Sequence, residues 1–260
     1  THYNLILSLP EDRKAKYDLS SVRSLLTSSA PATKEMKVDV MNLFRGVRLF
    51  EAYGSTESGL VTLLRPEDQM SKLGSIGKES IGTDRIKILD KDCNPVPNGT
   101  VGELYSRGPQ MFSGYHKMPE KTKEAFRGDF FSAGDLAMKD DEGFYYLVDR
   151  KANMIISGGE HVFPSEVEKV ILGHPKVSEC AVIGLHDHKW GEAVTAVCVP
   201  KDGNAPSSAL AEEIMQFCED KMARFKKPKH IFFVRSEEIP RTGSGKVIHR
   251  FLRDRFNSKG

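Results

Sequence analysis

The chain has 260 residues, of which 39% are hydrophobic and 28% are charged, a composition typical of a globular protein with one large domain or two smaller ones. Its 38 basic and 36 acidic residues are interspersed and leave a net charge of +2, which argues against a nucleic-acid partner or an anionic membrane surface. The longest apolar runs are of strand length, so we expect no transmembrane segment. Four scattered cysteines without a CxxC pair favour free thiols and a cytoplasmic location.

The first part of the chain mixes helical and strand patterns. A helix predicted over 33–44 has three apolar residues on one face: Met36, Val40 and Leu43. Residues 47–54 then predict a strand that runs into a loop, which is where α/β proteins place chemistry. Between 75 and 148 short β runs alternate with turns, and we expect a small, β-barrel-like subdomain there.

Strands and helices alternate in the rest of the chain. Strands are predicted over 154–157, 180–185, 193–199 and 231–234. A capping box at residues 165–168 predicts the start of one helix. A second segment is expected to turn its apolar residues inward: Leu210, Ile214, Phe217 and Phe225. The fold class is therefore α/β followed by a compact α+β domain, with the boundary between 1–150 and 151–260.

A glycine-rich run near the end, Arg241-Thr242-Gly243-Ser244-Gly245-Lys246, is similar to a phosphate-binding loop at first sight. That loop needs a glycine five residues before Gly245 and a Ser or Thr after the lysine, whereas Pro240 and Val247 occupy those places. The alternative is a glycine turn before a helix, which is indicated by three apolar residues: Val247, Phe251 and Phe256.

Five motifs occur in order along the chain: YGSTE (53–57), GELYSRGPQMFSGYHKMPEKT (102–122), FFSAGD (130–135), DRKANMIISGGEHVFPSEVE (149–168) and PRTGSGK (240–246). On these motifs the chain, from about Tyr17 onward, resembles the C-terminal portion of an acyl-CoA synthetase of the adenylate-forming superfamily, also called AMP-dependent synthetases and ligases. The resemblance implies that 1–150 is the C-terminal part of a large AMP-binding domain. It also implies that 151–260 is a mobile C-terminal domain.

The resemblance implies that the chain takes part in making an acyl-AMP from a carboxylic acid and ATP, and in passing the acyl group to coenzyme A. Thr56 would contact the phosphates, and Glu57 would hold the Mg²⁺ that spans them. Tyr53 would pack near adenine, with Gly54 and Ser55 in the same nucleotide-binding motif. Three residues would run past the base: Ser29, Ala30 and Pro31.

Further roles follow from the later motifs. Asp135 would accept hydrogen bonds from the ribose hydroxyls, and Arg150 would contact the ribose and phosphate. Lys246 would bridge the acid and the α-phosphate during adenylation, delivered by the bend that Gly243 and Gly245 allow. Three residues would line the path of the pantetheine thiol after a domain rotation: Ser157, Gly158 and Gly159.

Two positions depart from the pattern of the family. Ala133 stands where relatives often have threonine, which costs at most one auxiliary hydroxyl. Ala152 stands at the residue about which the domain would rotate, normally Asp or Lys, so a charged hinge contact is missing.

The glycine, serine and threonine-rich phosphate loop of the family lies upstream of everything in this sequence. We therefore expect that the chain is a fragment, inactive alone in adenylation, with a fatty or other hydrophobic acid as the substrate of the intact enzyme. Because the chain stops soon after the lysine helix, free coenzyme A is favoured as acceptor over a carrier domain. The alternatives are an amino-acid adenylation domain, a luciferase-like enzyme and a non-catalytic nucleotide- or CoA-binding module. A homodimer is left open.

Overall fold

The computed structural model describes residues 2–28, 32–80, 85–243 and 245–257. The chain divides into two compact units, Thr1–Leu147 and Val148–Gly260. No described helix is both long and apolar enough to cross a bilayer.

The first unit is built on one mixed sheet with short helices. Its helices are α1 (His2–Leu7), α2 (Glu11–Lys14), α3 (Lys34–Leu43) and α4 (Pro119–Ala125). Its strands are β1 (Ser24–Ser28), β2 (Arg48–Ser55), β3 (Gly59–Leu64), β4 (Ser75–Glu79), β5 (Arg85–Leu89), β6 (Gly102–Arg107), β7 (Phe126–Arg127), β8 (Phe130–Phe131), β9 (Asp135–Lys139) and β10 (Tyr145–Arg150). Helix α3 begins where Thr33 accepts a hydrogen bond from the Met36 N–H.

The strand order corrects one detail of the prediction. In the described residues the order is β1-β2-β3-β4-β10-β9-β6-β8-β7, with β5 on β6, so the β-rich region continues the sheet of β1–β3 and does not form a closed barrel. Strands β1 and β2 are parallel, and β2 and β3 are antiparallel. The core of this sheet is apolar: Val61, Ile76, Ile88, Leu104, Ala137 and Tyr145.

The second unit is an α+β domain, as predicted. Its strands are β11 (Ile155–Ser157), β12 (Glu160–Val162), β13 (Val177–Asp187), β14 (Gly191–Pro200) and β15 (His230–Phe233). Its helices are α5 (Pro164–Leu172), α6 (Ser208–Phe217) and α7 (His249–Asn257). Strands β13 and β14 form a long antiparallel pair, and β15 runs parallel to β14.

Strand β13 is buried on both faces, because helices pack on both sides of it. Neighbouring residues of a strand point to opposite sides of the sheet. Val182 packs with residues of α5 and α6, whereas Ala181 and Ile183 pack with Leu252 and Phe256 of α7. The layer of α7 therefore covers the face opposite to α5 and α6.

Two local predictions were wrong in detail. Helix α5 starts two residues earlier than predicted, with Phe163 and not Ser165 as its N-cap. The Glu166 carboxylate accepts from the Phe163 N–H at 3.2 Å, while the Ser165 hydroxyl donates to the Val148 carbonyl. In α7, Phe251 is 48% exposed and Leu252 is buried in its place.

Candidate active site

The YGSTE motif forms a closed turn at the end of β2. The Ser55 N–H donates to the Ser58 hydroxyl at 3.0 Å, and the Ser58 N–H donates to the Ser55 hydroxyl at 3.1 Å. This reciprocal pair holds the ends of the turn together and leaves Thr56 and Glu57 at its tip. We call residues 55–58 the Glu57 turn.

Gly54 is required by the packing of the two strands. A Cβ built on it would lie 2.0 Å from the carbonyl oxygen of Gly59 on the facing strand. Real side chains do not approach a backbone oxygen so closely, so only glycine fits without moving the hairpin. The structure thus gives Gly54 a structural role in the turn that carries Glu57.

Strand β2 also carries Tyr53, whose hydroxyl donates a hydrogen bond of 2.7 Å to Asp135 Oδ2. Asp135 is only 8% exposed and begins strand β9, which is far from β2 in the sequence. The two residues predicted to hold adenine and ribose are therefore neighbours. An ionised carboxylate can accept several hydrogen bonds, so the tyrosine contact is compatible with a diol ligand.

The loop before Asp135 is fixed by its own polar contacts. The Ser132 hydroxyl donates to Glu103 Oε1 at 2.8 Å and accepts from the Gly134 N–H at 3.0 Å. Gly134 has a φ of +79°, which favours glycine. None of these contacts needs a hydroxyl at Ala133.

Glu57 is half-buried and is contacted from the connection between β6 and α4. The Tyr115 hydroxyl donates to Glu57 Oε1 at 3.1 Å, and the Phe112 N–H donates to the Glu57 carbonyl at 2.7 Å. Burial raises the pKa of Tyr115, and the hydrogen bond to Glu57 raises it further. The phenol therefore stays protonated and acts as the donor.

A buried ion pair lies on the strand that precedes the turn. Lys37 of α3 is fully buried, and its Nζ lies 2.6 Å from Oε2 of Glu51 on β2. The other oxygen of Glu51 accepts from the Ala32 N–H at 3.4 Å. The predicted base-lining residues, Ser29, Ala30 and Pro31, lie outside the described residues, but Ala32 directly follows them.

In the second unit, Gly158 and Gly159 form the two-residue turn between β11 and β12. Their φ values are +63° and +86°, and a two-residue hairpin turn of this kind needs positive φ at both positions. The Gly158 N–H donates to the Trp190 carbonyl at 2.8 Å, and a Cβ on Gly158 would meet the Trp190 ring at 3.0 Å. Turn geometry alone therefore explains the double glycine. Ser157 is buried beside it.

Lys246 lies on a hydrogen-bonded turn closed by a bridge between Arg241 and Val247, and we call its described residues, 241–243 and 245–247, the Lys246 turn. The Thr242 N–H donates to the Lys246 carbonyl at 2.8 Å, and the Lys246 N–H donates to the Thr242 hydroxyl at 3.1 Å. Arg241 also pairs with Glu179 of β13. The described backbone on both sides of the turn is thus hydrogen-bonded, while the Lys246 side chain is exposed.

The predicted hinge contacts α7. Arg150 is exposed at the end of β10, and Ala152 lies in a short 3-10 helix, Lys151–Asn153. The Ala152 carbonyl accepts from Arg253 Nη2 of α7 at 3.3 Å. A backbone oxygen makes this contact, so it does not depend on the residue type at 152.

Two family profiles match the chain: the AMP-binding enzyme over residues 1–116, and the AMP-binding enzyme C-terminal domain over residues 166–246. These two matches, over separate parts of the chain, place it in the adenylate-forming superfamily. The chain is 38% identical to a feruloyl-CoA synthase of an Amycolatopsis species, over 98% of this chain and 50% of that protein. The chain spans about half the length of the curated relatives that it matches.

Two solved structures have similar folds. The ATP-bound RpMatB-BxBclM chimera B1 has a TM-score of 0.86 at 34% identity, over 98% of this chain and 49% of that one. The o-succinylbenzoate coenzyme A synthetase of Bacillus subtilis, in complex with ATP and magnesium ion, has a TM-score of 0.78 at 30% identity, over 97% and 50%. These likenesses confirm the predicted superfamily and fold class.

The structure brings some predicted site residues together within each unit. Tyr53 meets Asp135, and Thr56 and Glu57 share one turn, whereas the roles of all site residues stay predictions. Sequence reasoning gave no role to Tyr115 or Lys37. Tyr115 lies inside the motif of residues 102–122, and its place in that motif was the available signal. Lys37 gave none, because a lysine on a helix is normally exposed.

Proposed function

We propose that this chain forms about half of an acid–thiol ligase that converts a carboxylic acid and ATP to an acyl-AMP and then transfers the acyl group to coenzyme A. The observation that carries the proposal is the hydrogen bond between Tyr53 and Asp135. Tyr53 belongs to β2, the strand that leads into the Glu57 turn. It joins an aromatic ring and a buried carboxylate, the two groups that a nucleoside needs for its base and its ribose.

In the first step, a carboxylate oxygen of the acid attacks the α-phosphorus of ATP, and the bond to the bridging oxygen of the β-phosphate breaks. Pyrophosphate leaves. Because the step brings several negative groups together, charge neutralisation and positioning supply most of the catalysis. We propose that Lys246 places its ammonium between the acid and the α-phosphate, and that Arg150 and Thr56 contact the nucleotide phosphates. The exposed side chain of Lys246 is suited to delivery as a point charge.

The residues of the Glu57 turn fit a magnesium ion bound together with nucleotide. The described residues contain no cluster of three or more His, Cys, Asp or Glu side chains that could hold a metal. Mg²⁺, however, is commonly held by one or two carboxylates plus substrate phosphates, and Glu57 offers one carboxylate at the tip of a turn. When bound, the ion neutralises phosphate charge. Glu57 would be its protein ligand.

In the second step, the thiol of coenzyme A attacks the acyl carbonyl and AMP leaves. We propose that residues 157–159 face the pantetheine arm, because Gly158 and Gly159 present backbone without side chains at the hairpin turn. Rotation of the second unit between the steps stays a prediction, as do the cytoplasmic location and a homodimer.

We propose a hydrophobic carboxylic acid as the substrate. The names of two relatives include feruloyl and 2-succinylbenzoate, which are aryl acids, and a fatty acyl CoA synthetase of Mycobacterium tuberculosis also has this fold, with a TM-score of 0.63 at 35% identity. Aryl and fatty acids thus both belong in a substrate screen.

The test is a carboxylate panel with the full-length protein that contains this chain, monitored by pyrophosphate release with and without coenzyme A. The panel should hold arylpropenoic, aryl, long-chain and amino acids. Formation of an acyl-AMP and then of an acyl-CoA supports the proposal. Release of pyrophosphate only with amino acids would instead support an amino-acid adenylation enzyme.

The chain alone tests the fragment prediction. We expect no ATP–pyrophosphate exchange from the isolated 260 residues with any acid, since the predicted phosphate loop lies outside them. Titration calorimetry of AMP and coenzyme A into the same chain addresses the non-catalytic alternative. A module that merely packs against a partner should bind neither.

A further inference from the structure

The connection between β6 and α4 contacts the Glu57 turn and the strand after it at three points. Gln110 Oε1 accepts from the Leu60 N–H at 3.2 Å, the Phe112 N–H donates to the Glu57 carbonyl at 2.7 Å, and the Tyr115 hydroxyl donates to Glu57 Oε1 at 3.1 Å. The first two contacts fix the backbone. Only the Tyr115 contact acts on the Glu57 carboxylate.

Tyr115 is itself firmly held. Its N–H donates to the Thr122 hydroxyl of α4 at 2.9 Å, and that hydroxyl donates to the Met118 carbonyl at 2.9 Å. Its ring packs edge-on against Phe112 at 4.9 Å between centroids. Lys121 Nζ lies 4.2 Å from the centroid of the same ring. The hydroxyl therefore has a defined position from which to orient a neighbour.

The consequence for Glu57 is an asymmetry between its two oxygens. Oε1 accepts from Tyr115, and among the described residues Oε2 has no hydrogen-bond partner. A bond to one oxygen restricts rotation of the carboxylate and leaves the other oxygen available to a ligand. Groups that orient a metal ligand in this way typically change metal affinity by about 10-fold to 100-fold when they are removed.

We propose that Tyr115 is a positioning residue for Glu57: it fixes the carboxylate so that the second oxygen is presented to the magnesium ion of the bound nucleotide. The inference rests on the proposed function of Glu57 as a magnesium ligand. Tyr115 touches neither the nucleotide nor the ion, and it acts through Glu57 alone.

The test is Tyr115→Phe in the full-length protein, which removes the hydroxyl and keeps the ring packing. Titration calorimetry should compare a Mg²⁺-saturated β,γ-imido analogue of ATP with AMP in a chelator. We expect the affinity for the magnesium complex to fall about 10-fold, while the affinity for AMP is unchanged. The free Mg²⁺ concentration for half-maximal pyrophosphate release should rise by a similar factor.

The matched control is Tyr146→Phe. Tyr146 donates a hydrogen bond of 3.2 Å to Asp140 Oδ2, so this variant loses the same kind of contact at a carboxylate with no proposed ligand role. It should bind both nucleotides as the wild type does. Thr122→Val is a second variant, because it releases the Tyr115 backbone and keeps its hydroxyl; it should weaken the magnesium complex selectively, but less.

Glu57→Gln separates failure of this inference from failure of the proposed function. If Glu57→Gln binds the magnesium complex as the wild type does, Glu57 is no metal ligand and the proposed function loses that residue. If Glu57→Gln loses the preference for the magnesium complex but Tyr115→Phe keeps it, only the positioning role is refuted. Equal weakening of AMP and the magnesium complex by Tyr115→Phe would also refute it, since it indicates a general structural effect.

Discussion

The Glu57 turn and the Lys246 turn are built alike and differ in how their charged side chains are held. Each is closed by reciprocal hydrogen bonds that use a hydroxyl: Ser55 with Ser58 in one, and Thr242 with Lys246 in the other. The Glu57 carboxylate then accepts a hydrogen bond from Tyr115. The Lys246 ammonium is exposed and has no ion pair among the described residues.

This difference matches two chemical tasks. A metal ligand is most effective when its oxygen is oriented before the ion arrives, because no ordering cost then remains. A cation that serves one of two steps must enter and leave a site, and a side chain bound in its own turn could not do so. The comparison thus favours a stationary role for Glu57 and a transient role for Lys246.

The largest expected effect comes from Lys246→Ala in the full-length protein. Acyl-AMP formation should fall about 100-fold to 1,000-fold, the usual effect of removing one electrostatic group from a transition state. Thioester formation from a pre-made acyl-AMP should change only slightly, because the charge serves the first step. Single-turnover assays of each half-reaction measure the split, with the exposed Lys201→Ala as control. Equal loss in both half-reactions would contradict a transient role.

Removing the buried cation that pairs with Glu51 of β2 should destabilise the chain. Lys37→Met leaves Glu51 buried without its partner, which typically costs about 3–5 kcal/mol. The double variant Lys37→Met with Glu51→Leu should recover most of that loss, because no charge is then left unpaired. Scanning calorimetry of the chain measures both. A single variant as stable as the wild type would show that the buried pair does not stabilise the fold.

A pair of glycine substitutions compares the strand residue that precedes the Glu57 turn with a residue inside the Lys246 turn. Gly54→Ala places a Cβ 2.0 Å from the Gly59 carbonyl oxygen and should cost about 1–3 kcal/mol. Gly243→Ala has no atom within 4 Å of its new Cβ and should stay within about 0.5 kcal/mol of the wild type. Denaturant unfolding of the two variants decides the point. Similar costs at both positions would contradict the difference in packing between Gly54 and Gly243.

Sequence reasoning found the elements with strong periodicity and located the turns from their glycines. Helix α3 was predicted from the helical spacing of Met36, Val40 and Leu43, of which Val40 is buried, and strand β2 was predicted over 47–54 and is observed over Arg48–Ser55. The strand order was not predictable in the same way, since it depends on which strands pair, and the expected barrel is an open sheet.

Local sequence patterns could not predict the contacts that organise the candidate site, because the contacting residues are far apart in the sequence. Tyr115 meets Glu57 across 58 residues, and Tyr53 meets Asp135 across 82. Local mistakes had local causes. Ser165 was expected to cap α5, but Pro164 already occupies the first helical position, where its missing N–H costs nothing.

The smallest expected effect concerns Glu238, which joins the two flanks of the Lys246 turn. It lies in the 3-10 helix Ser236–Glu238 before the turn, and its Oε1 accepts from Arg255 Nη2 of α7, after the turn, at 2.7 Å. The Arg235 N–H, and then the Arg255 guanidinium, lower the pKa of Glu238 from 4.5 to about 2. A lowered folded-state pKa gives stability that is present above the unfolded-state pKa and is lost as pH falls through the folded-state pKa.

The difference in stability between the wild type and Glu238→Gln should therefore narrow as the pH falls from 4.5 to about 2. Thermal unfolding over this range measures it, with Glu237→Gln as control, because Glu237 and its neighbour Arg235 are both exposed. A difference in stability that stays constant with pH would show that the charge of Glu238 does not stabilise its contact with Arg255 of α7, next to the Lys246 turn.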